Sequence, residues 1–225
     1  MPLKRLEGMN AVKLAEHQDK PGAGNVQPAA LPLKPCALKP KDFAGDSHEV
    51  ARALIGATLL VDGVGGIIVE TEAYDRDDPA SHTFGGLTPR NAAMFGPPGR
   101  AYVYRSYGIH WCLNFVCREK GHGAGVLIRA IEPTHGLDVM RARRGLQEDR
   151  QLCSGPGKVG QALAITHALN GLRLDRVPFR LWAAPAGAEV IVGPRIGISK
   201  AAEVPWRFGL AGSKFWSTRF PAKSP

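Results

Sequence analysis

The segment I-I-V-E-T-E-A-Y, residues 67–74, holds the first side chains that could do chemistry. Its apolar, β-branched make-up predicts a strand over Gly66–Tyr74, and strand side chains alternate between two faces. Ile68, Glu70, Glu72 and Tyr74 then share one face, with Val69, Thr71 and Ala73 on the other. Two carboxylates in so apolar a run either face water along a sheet edge or line a cavity. A carboxylate withdrawn from water must be paired or hydrogen-bonded, and desolvation favours its neutral form. That is how a protein makes a general acid or base. Arg129, inside V-L-I-R-A-I, is the matching cation in an apolar strand. It needs a partner there. A carboxylate such as Glu72 or a substrate phosphate would serve, and so would a purely structural ion pair.

All four tyrosines, Tyr74, Tyr102, Tyr104 and Tyr107, fall between residues 74 and 107. Tyr102 and Tyr104 share a strand face, where core packing is the ordinary role. Tyr107 precedes Gly108 at the tip of an expected hairpin, where an aromatic side chain can stack on a base or wedge into a duplex. His82 lies in a polar loop ten residues beyond the carboxylate pair. His110, Cys112, Cys117 and His122 match no common zinc spacing, so no metal site is expected. The run C-S-G-P-G-K, 153–158, fails the phosphate-loop test, because Leu152 stands where the first glycine belongs and Val159 where Ser or Thr belongs. A Gly-rich turn before a helix can still hold one phosphate.

The elements that must position these residues follow from periodicity and punctuation. Asp46 with Glu49 predicts a capped helix whose apolar stripe, Val50, Leu54 and Ile55, ends near Gly56. Strands are predicted over Thr58–Val61, Ala101–Arg105, Ile109–Cys117 and 125–132, the middle two as a hairpin. Residues 75–100 form a long polar loop, a length that usually carries function. Thr134 is expected to cap a helix ending at Arg143-Arg144-Gly145, and a further helix is expected over Pro156–Leu169. Short strands are expected around Arg180–Ala183, Glu189–Val192 and Arg195–Ser199. Strands and helices do not alternate regularly, so the fold class is α+β with a mostly antiparallel sheet. Residues 1–41 hold seven bases against three acids, and five prolines crowd residues 20–41. They are expected to be a flexible leader before a folded unit at 42–225.

The 225 residues carry a formal charge of +9. Residues 42–80 hold nine acids against two bases, whereas residues 81–225 hold twenty bases, mostly Arg, against eight acids. A basic surface favours a polyanionic partner, most simply nucleic acid. No run of about 18 apolar residues exists, so no membrane span is expected. Neither a secretory signal nor a disulfide framework is evident, and the four cysteines fit a reducing compartment.

Taken in series, the strings V-E-T-E-A-Y (69–74), S-H (81–82), T-P-R-N (88–91), Y-V-Y-R-S-Y-G (102–108) ending at Asn114, L-I-R-A-I-E-P (127–133), L-C-S-G-P-G-K (152–158) and R-I-G-I (195–198) resemble the 3-methyladenine DNA glycosylase family of the alkyladenine type. The resemblance covers about residues 43–217. It implies a single α+β domain around a barrel-like antiparallel sheet with flanking helices. It implies a monofunctional base-excision repair hydrolase that flips an alkylated or deaminated purine out of double-stranded DNA. That enzyme cleaves the N-glycosidic bond with water and leaves an abasic site, without a cofactor. Carried over by motif, Glu72 is the general base and Arg129 lies beside its water. Tyr74, His82 and Tyr104 line the base pocket, Asn114 excludes the 2-amino group of guanine, and Tyr107 fills the gap in the duplex. In W-R-F-G-L, 206–210, Gly209 stands where the resemblance leads one to expect an aromatic residue. A monomer is implied, in the cytoplasm at the nucleoid if bacterial and otherwise in the nucleus. The rival functions are a non-catalytic nucleic-acid-binding domain, which would not need a pocket carboxylate, and a carbohydrate glycosidase, which would not need the basic surface.

Overall fold

The apolar run that carries the two carboxylates extends over Val64–Tyr74 (β2), and the domain is arranged around it. The computed structural model describes residues 36–221. Thr58–Val61 (β1) folds back on the first part of β2 through Asp62-Gly63, both at positive φ, the D-G turn that suits a twisted hairpin. Ala124–His135 (β5) follows the opposite edge of β2 along its length. Ala101–Ser106 (β3) and His110–Cys117 (β4) make the expected hairpin, with β4 paired to β5. Phe179–Trp182 (β6) pairs with β1. Val190–Gly193 (β7) pairs with Arg207–Leu210 (β8), and β8 takes over the β2 edge at Glu70–Glu72, beyond the end of β1. Every pairing is antiparallel, and the eight strands form one curled half-barrel. This bears out the α+β, barrel-like expectation.

Among the described residues, four α-helices cover the sheet: Ser47–Ala53 (α1), Leu137–Arg144 (α2), Asp149–Leu152 (α3) and Pro156–Ala162 (α4). The main core lies between them and the strands, built on Val50, Leu54, Ile55, Leu59, Ile68, Leu113, Phe115, Ile128 and Val159. Each such side chain stabilises the fold by about 1.5–3 kcal/mol on burial. The alternation along β2 is broken once. The register shifts between Ile68 and Glu70, leaving Val69 as an extra residue, and Ile68 joins the main core together with Ala73. Ile68 therefore does not share the face of Glu70, Glu72 and Tyr74, and the bulge re-aims the carboxylates away from the core.

Several local expectations are corrected. Asp46 precedes α1 without capping it, because its carboxylate is taken by Arg118. Thr134 does not cap a helix: β5 continues to His135, and the turn into α2 is made at Gly136, φ 70°. The helix expected to reach Leu169 stops at Ala162. Ala164 sits at φ 53°, with its N–H on the Gln161 carbonyl and the Ile165 N–H on that of Gly160, which is a Schellman stop with alanine in the glycine position. A separate 3₁₀ turn follows at His167–Leu169. Residues 195–199 bend instead of forming a strand, since Arg195 turns inward to Asp78 and Gly197 has φ 72°. The strand of that region is β8, which the sequence reading did not place. Of the expected leader, residues 1–35 lie outside the described residues. Ala37 bridges Trp182, the Leu38 N–H donates to Leu181, and Pro40 opens a 3₁₀ turn that seats Phe43 in the core. All four cysteines are free thiols.

Candidate active site

Pairing on both edges of β2 closes Glu70 and Glu72 off from solvent, and both are fully buried. Their charge is met locally. Arg129, on β5, donates from Nη1 to Glu72 Oε2 at 3.1 Å and from Nε to Glu70 Oε1 at 3.2 Å, so one guanidinium bridges both carboxylates. The register shift that makes Arg129 the extra residue of β5, between Glu70↔Ala130 and Thr71↔Ile128, turns it toward them. Arg207 of β8 adds a second cation, with Nε 2.7 Å from Glu70 Oε1. Two carboxylates thus meet two guanidinium groups, as burial of charge requires. Glu72 also accepts the Ile196 N–H on Oε1 at 2.7 Å and the Tyr74 hydroxyl on Oε2 at 2.8 Å. An ionised carboxylate offers about four acceptor sites, so one remains for water.

Next to this pair opens a cavity of about 480 Å³. That volume is in the range of small-molecule and base pockets. Tyr74, His82, Tyr104, Asn114, Tyr107 and Arg129 all border it. Glu72 does not border it; its three hydrogen-bond partners do. Tyr102 and Tyr104 stack at 5.6 Å and 23°, and His82 meets Tyr104 edge-on at 4.5 Å. His82 Nδ1 shares a hydrogen bond with the Tyr102 hydroxyl at 3.2 Å. Desolvation raises the Tyr74 and Tyr104 hydroxyls well above their ordinary pKa, that of Tyr74 further because it donates to Glu72, and pushes Tyr102 up to about 12. Burial, with Arg90 adding to it, lowers His82. All four rings are therefore uncharged at neutral pH. Neutral, electron-rich rings are what a cationic aromatic ligand prefers to stack on.

Asn114 is buried on β4, opposite Tyr102, and donates to the Tyr102 carbonyl at 3.3 Å. The hairpin tip carries Tyr107 at φ 50° and Gly108 at φ 68°, closed by the Ile109 N–H on Ser106. Tyr107 is 87 % exposed. The strained left-handed backbone at a tyrosine holds the ring out into solvent at the cavity mouth.

The long loop is held in place by specific contacts. Asp78 is paired with Arg195, the Thr83 hydroxyl donates to the Gly123 carbonyl at 2.7 Å, and the Asn91 amide donates to the carbonyls of His82 and Gly86 at 2.9 Å. Arg195 lies over the Tyr74 ring at 4.8 Å and over Trp206 at 5.5 Å, so it fixes one pocket wall. Sequence reasoning missed Arg195, Arg207 and the Ile196 N–H as groups of this site. The R-I-G-I string, part of the family resemblance, is the available signal, but its alternation predicts a strand and not an inward-turned arginine. Met94, Cys112, Leu127, Pro156 and Ile198 also line the cavity.

Comparison with known proteins identifies the family. Residues 41–214 match the family model described as methylpurine-DNA glycosylase. A protein of Rhodopseudomonas palustris (strain BisB18) is 65 % identical over 193 residues, covering 86 % of this chain and 96 % of its own. One of Nitrosospira multiformis is 68 % identical over 179 residues, covering 80 % and 93 %. One of Rhizobium meliloti is 61 % identical over 178 residues, covering 79 % and 95 %. Each of the three bears the name "Putative 3-methyladenine DNA glycosylase". With the match spanning most of the described domain, the chain belongs to the methylpurine-DNA glycosylase family.

Proposed function

We propose that the protein is a monofunctional DNA glycosylase that removes alkylated or deaminated purines, 3-methyladenine among them, from double-stranded DNA. The observation that carries this reading is a cavity walled by neutral aromatic rings, in which three lining residues, Tyr74, Arg129 and Ile196, are held by a single buried carboxylate, Glu72. Base chemistry needs the nucleotide out of the stack, which costs a few kcal/mol and least for damaged pairs. Tyr107 fills the gap left behind. Tyr74, His82 and Tyr104 receive the base, and a methylated, cationic purine gains from stacking on neutral rings.

In the reaction, water adds to C1′ and gives its proton to Glu72, while the C1′–N bond breaks and its electron pair leaves with the purine. On an alkylated purine that pair neutralises a positive charge, so little further activation is needed. Arg129 pairs with Glu72 and holds it in orientation. Glu72 meets its water once the bound nucleotide loosens the floor, since catalytic hydrogen bonds often reach their working geometry only with substrate present. Among the described residues none lining the cavity is a lysine, which supports water as nucleophile over a covalent imine. Asn114, which is buried and borders the cavity, obstructs a 2-amino group in this reading and so rejects guanine. The protein acts, in this reading, as a monomer on nucleoid DNA; the cytoplasmic setting follows from the bacterial source of the matched relatives.

The test is a set of duplex oligonucleotides, each bearing one 3-methyladenine, 7-methylguanine, hypoxanthine or ethenoadenine. Release of free base with an intact strand and an abasic site is the expected result, and borohydride should trap no covalent adduct. Tight binding to the lesion duplexes without release of any base would favour a non-catalytic nucleic-acid-binding domain.

A further inference from the structure

We propose that the segment Ser213–Pro221 is a strap that positions the catalytic carboxylate from behind, and that Ser217 and Phe220 are positioning residues for base excision. The inference rests on the reading of Glu72 as general base. It begins at Glu70, which does not border the cavity and has no role in the chemistry itself. Four donors converge on its carboxylate. Two come from the strands, Arg129 Nε at 3.2 Å and Arg207 Nε at 2.7 Å. The other two come from one residue far away in the chain: the Ser217 N–H at 2.5 Å and the Ser217 hydroxyl at 2.8 Å. Arg129 Nη2 also reaches the Ser217 oxygen, at 3.4 Å. Ser217, Glu70, Arg129 and Glu72 thus form one continuous chain of charge-assisted contacts. Such bonds are the strong, orienting ones.

The strap is seated by its own contacts. The Trp216 indole donates to the Leu210 carbonyl at 3.0 Å, and Arg207 donates to the Thr218 carbonyl. Phe220 lies 3.8 Å over the Arg207 guanidinium and 5.2 Å from Trp216. Its ring fills a slot floored by Gly193 and Gly209. A Cβ on Gly209 would come within 2.5 Å of the ring and one on Gly193 within 2.9 Å, so neither position has room for a side chain. This accounts for Gly209, where an aromatic residue was expected from the resemblance: here the aromatic group over β8 is supplied by the strap. Removing Phe220 empties the slot and loosens the strap around Ser217, which then rests on the Trp216 and Thr218 contacts alone. Glu70 then loses up to two of its four donors, and Arg129 loses the fixed acceptor that orients it toward Glu72.

The experiment compares Phe220→Ala, Ser217→Ala, Ser217→Thr and Glu72→Gln with the wild-type full chain, in single-turnover excision at saturating enzyme, with lesion-duplex affinity and thermal unfolding measured alongside. Phe220→Ala and Ser217→Ala should each slow excision by about tenfold, the order of one weakened hydrogen bond to a charged group, with affinity within about twofold. Ser217→Thr, which keeps the hydroxyl, should stay near wild type. On a Glu70→Gln background Phe220→Ala should have no further effect, because the path runs through Glu70. Equal loss in Ser217→Ala and Ser217→Thr, or a full-sized Phe220→Ala effect on that background, would mean a merely structural strap and would overturn the proposal. If Glu70→Gln does not fold, the two serine variants decide alone. Wild-type excision by Phe220→Ala and Ser217→Ala, with Glu72→Gln inactive, would sink the strap and leave the catalytic reading standing. An active Glu72→Gln would remove both.

Discussion

Truncating Tyr107 to alanine separates a wedge from a packing residue. The ring is 87 % exposed at the hairpin tip and, flanked by Gly108, belongs to neither buried apolar cluster. Exposed substitutions usually stay within about 0.5 kcal/mol in stability, whereas a large aromatic removed from a core costs about 3–5 kcal/mol. The fold should therefore barely register the change. Flipping should register it strongly. An aromatic side chain stacked on bases is worth about 1–3 kcal/mol, so the extruded population should fall by about 5- to 150-fold where flipping is the unfavourable step. The loss should be largest for lesions in stable pairs and smallest where the base is already mispaired. A fluorescent base analogue beside the lesion reads the flipped population, and thermal unfolding reads the fold. A sharply lowered melting temperature with an unchanged flipped fraction would refute the reasoning and return Tyr107 to the core.

Asn114→Ser should open room for a 2-amino group and raise excision of guanine-type bases relative to hypoxanthine; an unchanged ratio in competition assays would reject that role. Deleting residues 1–34 should leave melting temperature and excision intact, while deletion through residue 41 removes the Leu38 bond to β6 and the turn that seats Phe43, and should lower the melting temperature. Equal melting temperatures for the two truncations would show that these contacts contribute nothing. His82, lowered by burial, should titrate below the ordinary 6.5 by NMR. The unfolded chain then binds the extra proton first, so this residue's contribution to stability declines as pH falls through the window below 6.5. A midpoint at or above 6.5 would contradict a desolvating aromatic wall.

Much of the site was legible because its residues lie on strands whose alternation is simple. Glu70, Glu72 and Tyr74 share a face as their spacing requires, and Tyr104 and Asn114 come from neighbouring strands paired in register, whereas Arg129 reaches the carboxylates from a register shift in β5. What was not legible depends on exceptions to alternation or on distant chain. The bulge at Val69 has no composition cue, and it moves Ile68 to the core. An alanine in the left-handed position ended α4, where only Gly or Asn would have announced a stop. β8 is four residues long and includes a buried arginine and a glycine, which hides it from any propensity scale. The partners of Glu70, Arg207 and Ser217, lie 137 and 147 residues away, a separation at which sequence pattern carries no information.

Glu72→Gln tests the central claim most directly. The change keeps the shape of the side chain and removes its capacity to take a proton. Phosphate contacts supply most DNA affinity, so lesion binding should survive. Loss of a positioned general base should slow single-turnover excision by on the order of 100-fold or more. A variant that binds the lesion duplex and releases no base is the predicted outcome. Excision by Glu72→Gln at close to the wild-type rate would contradict the account.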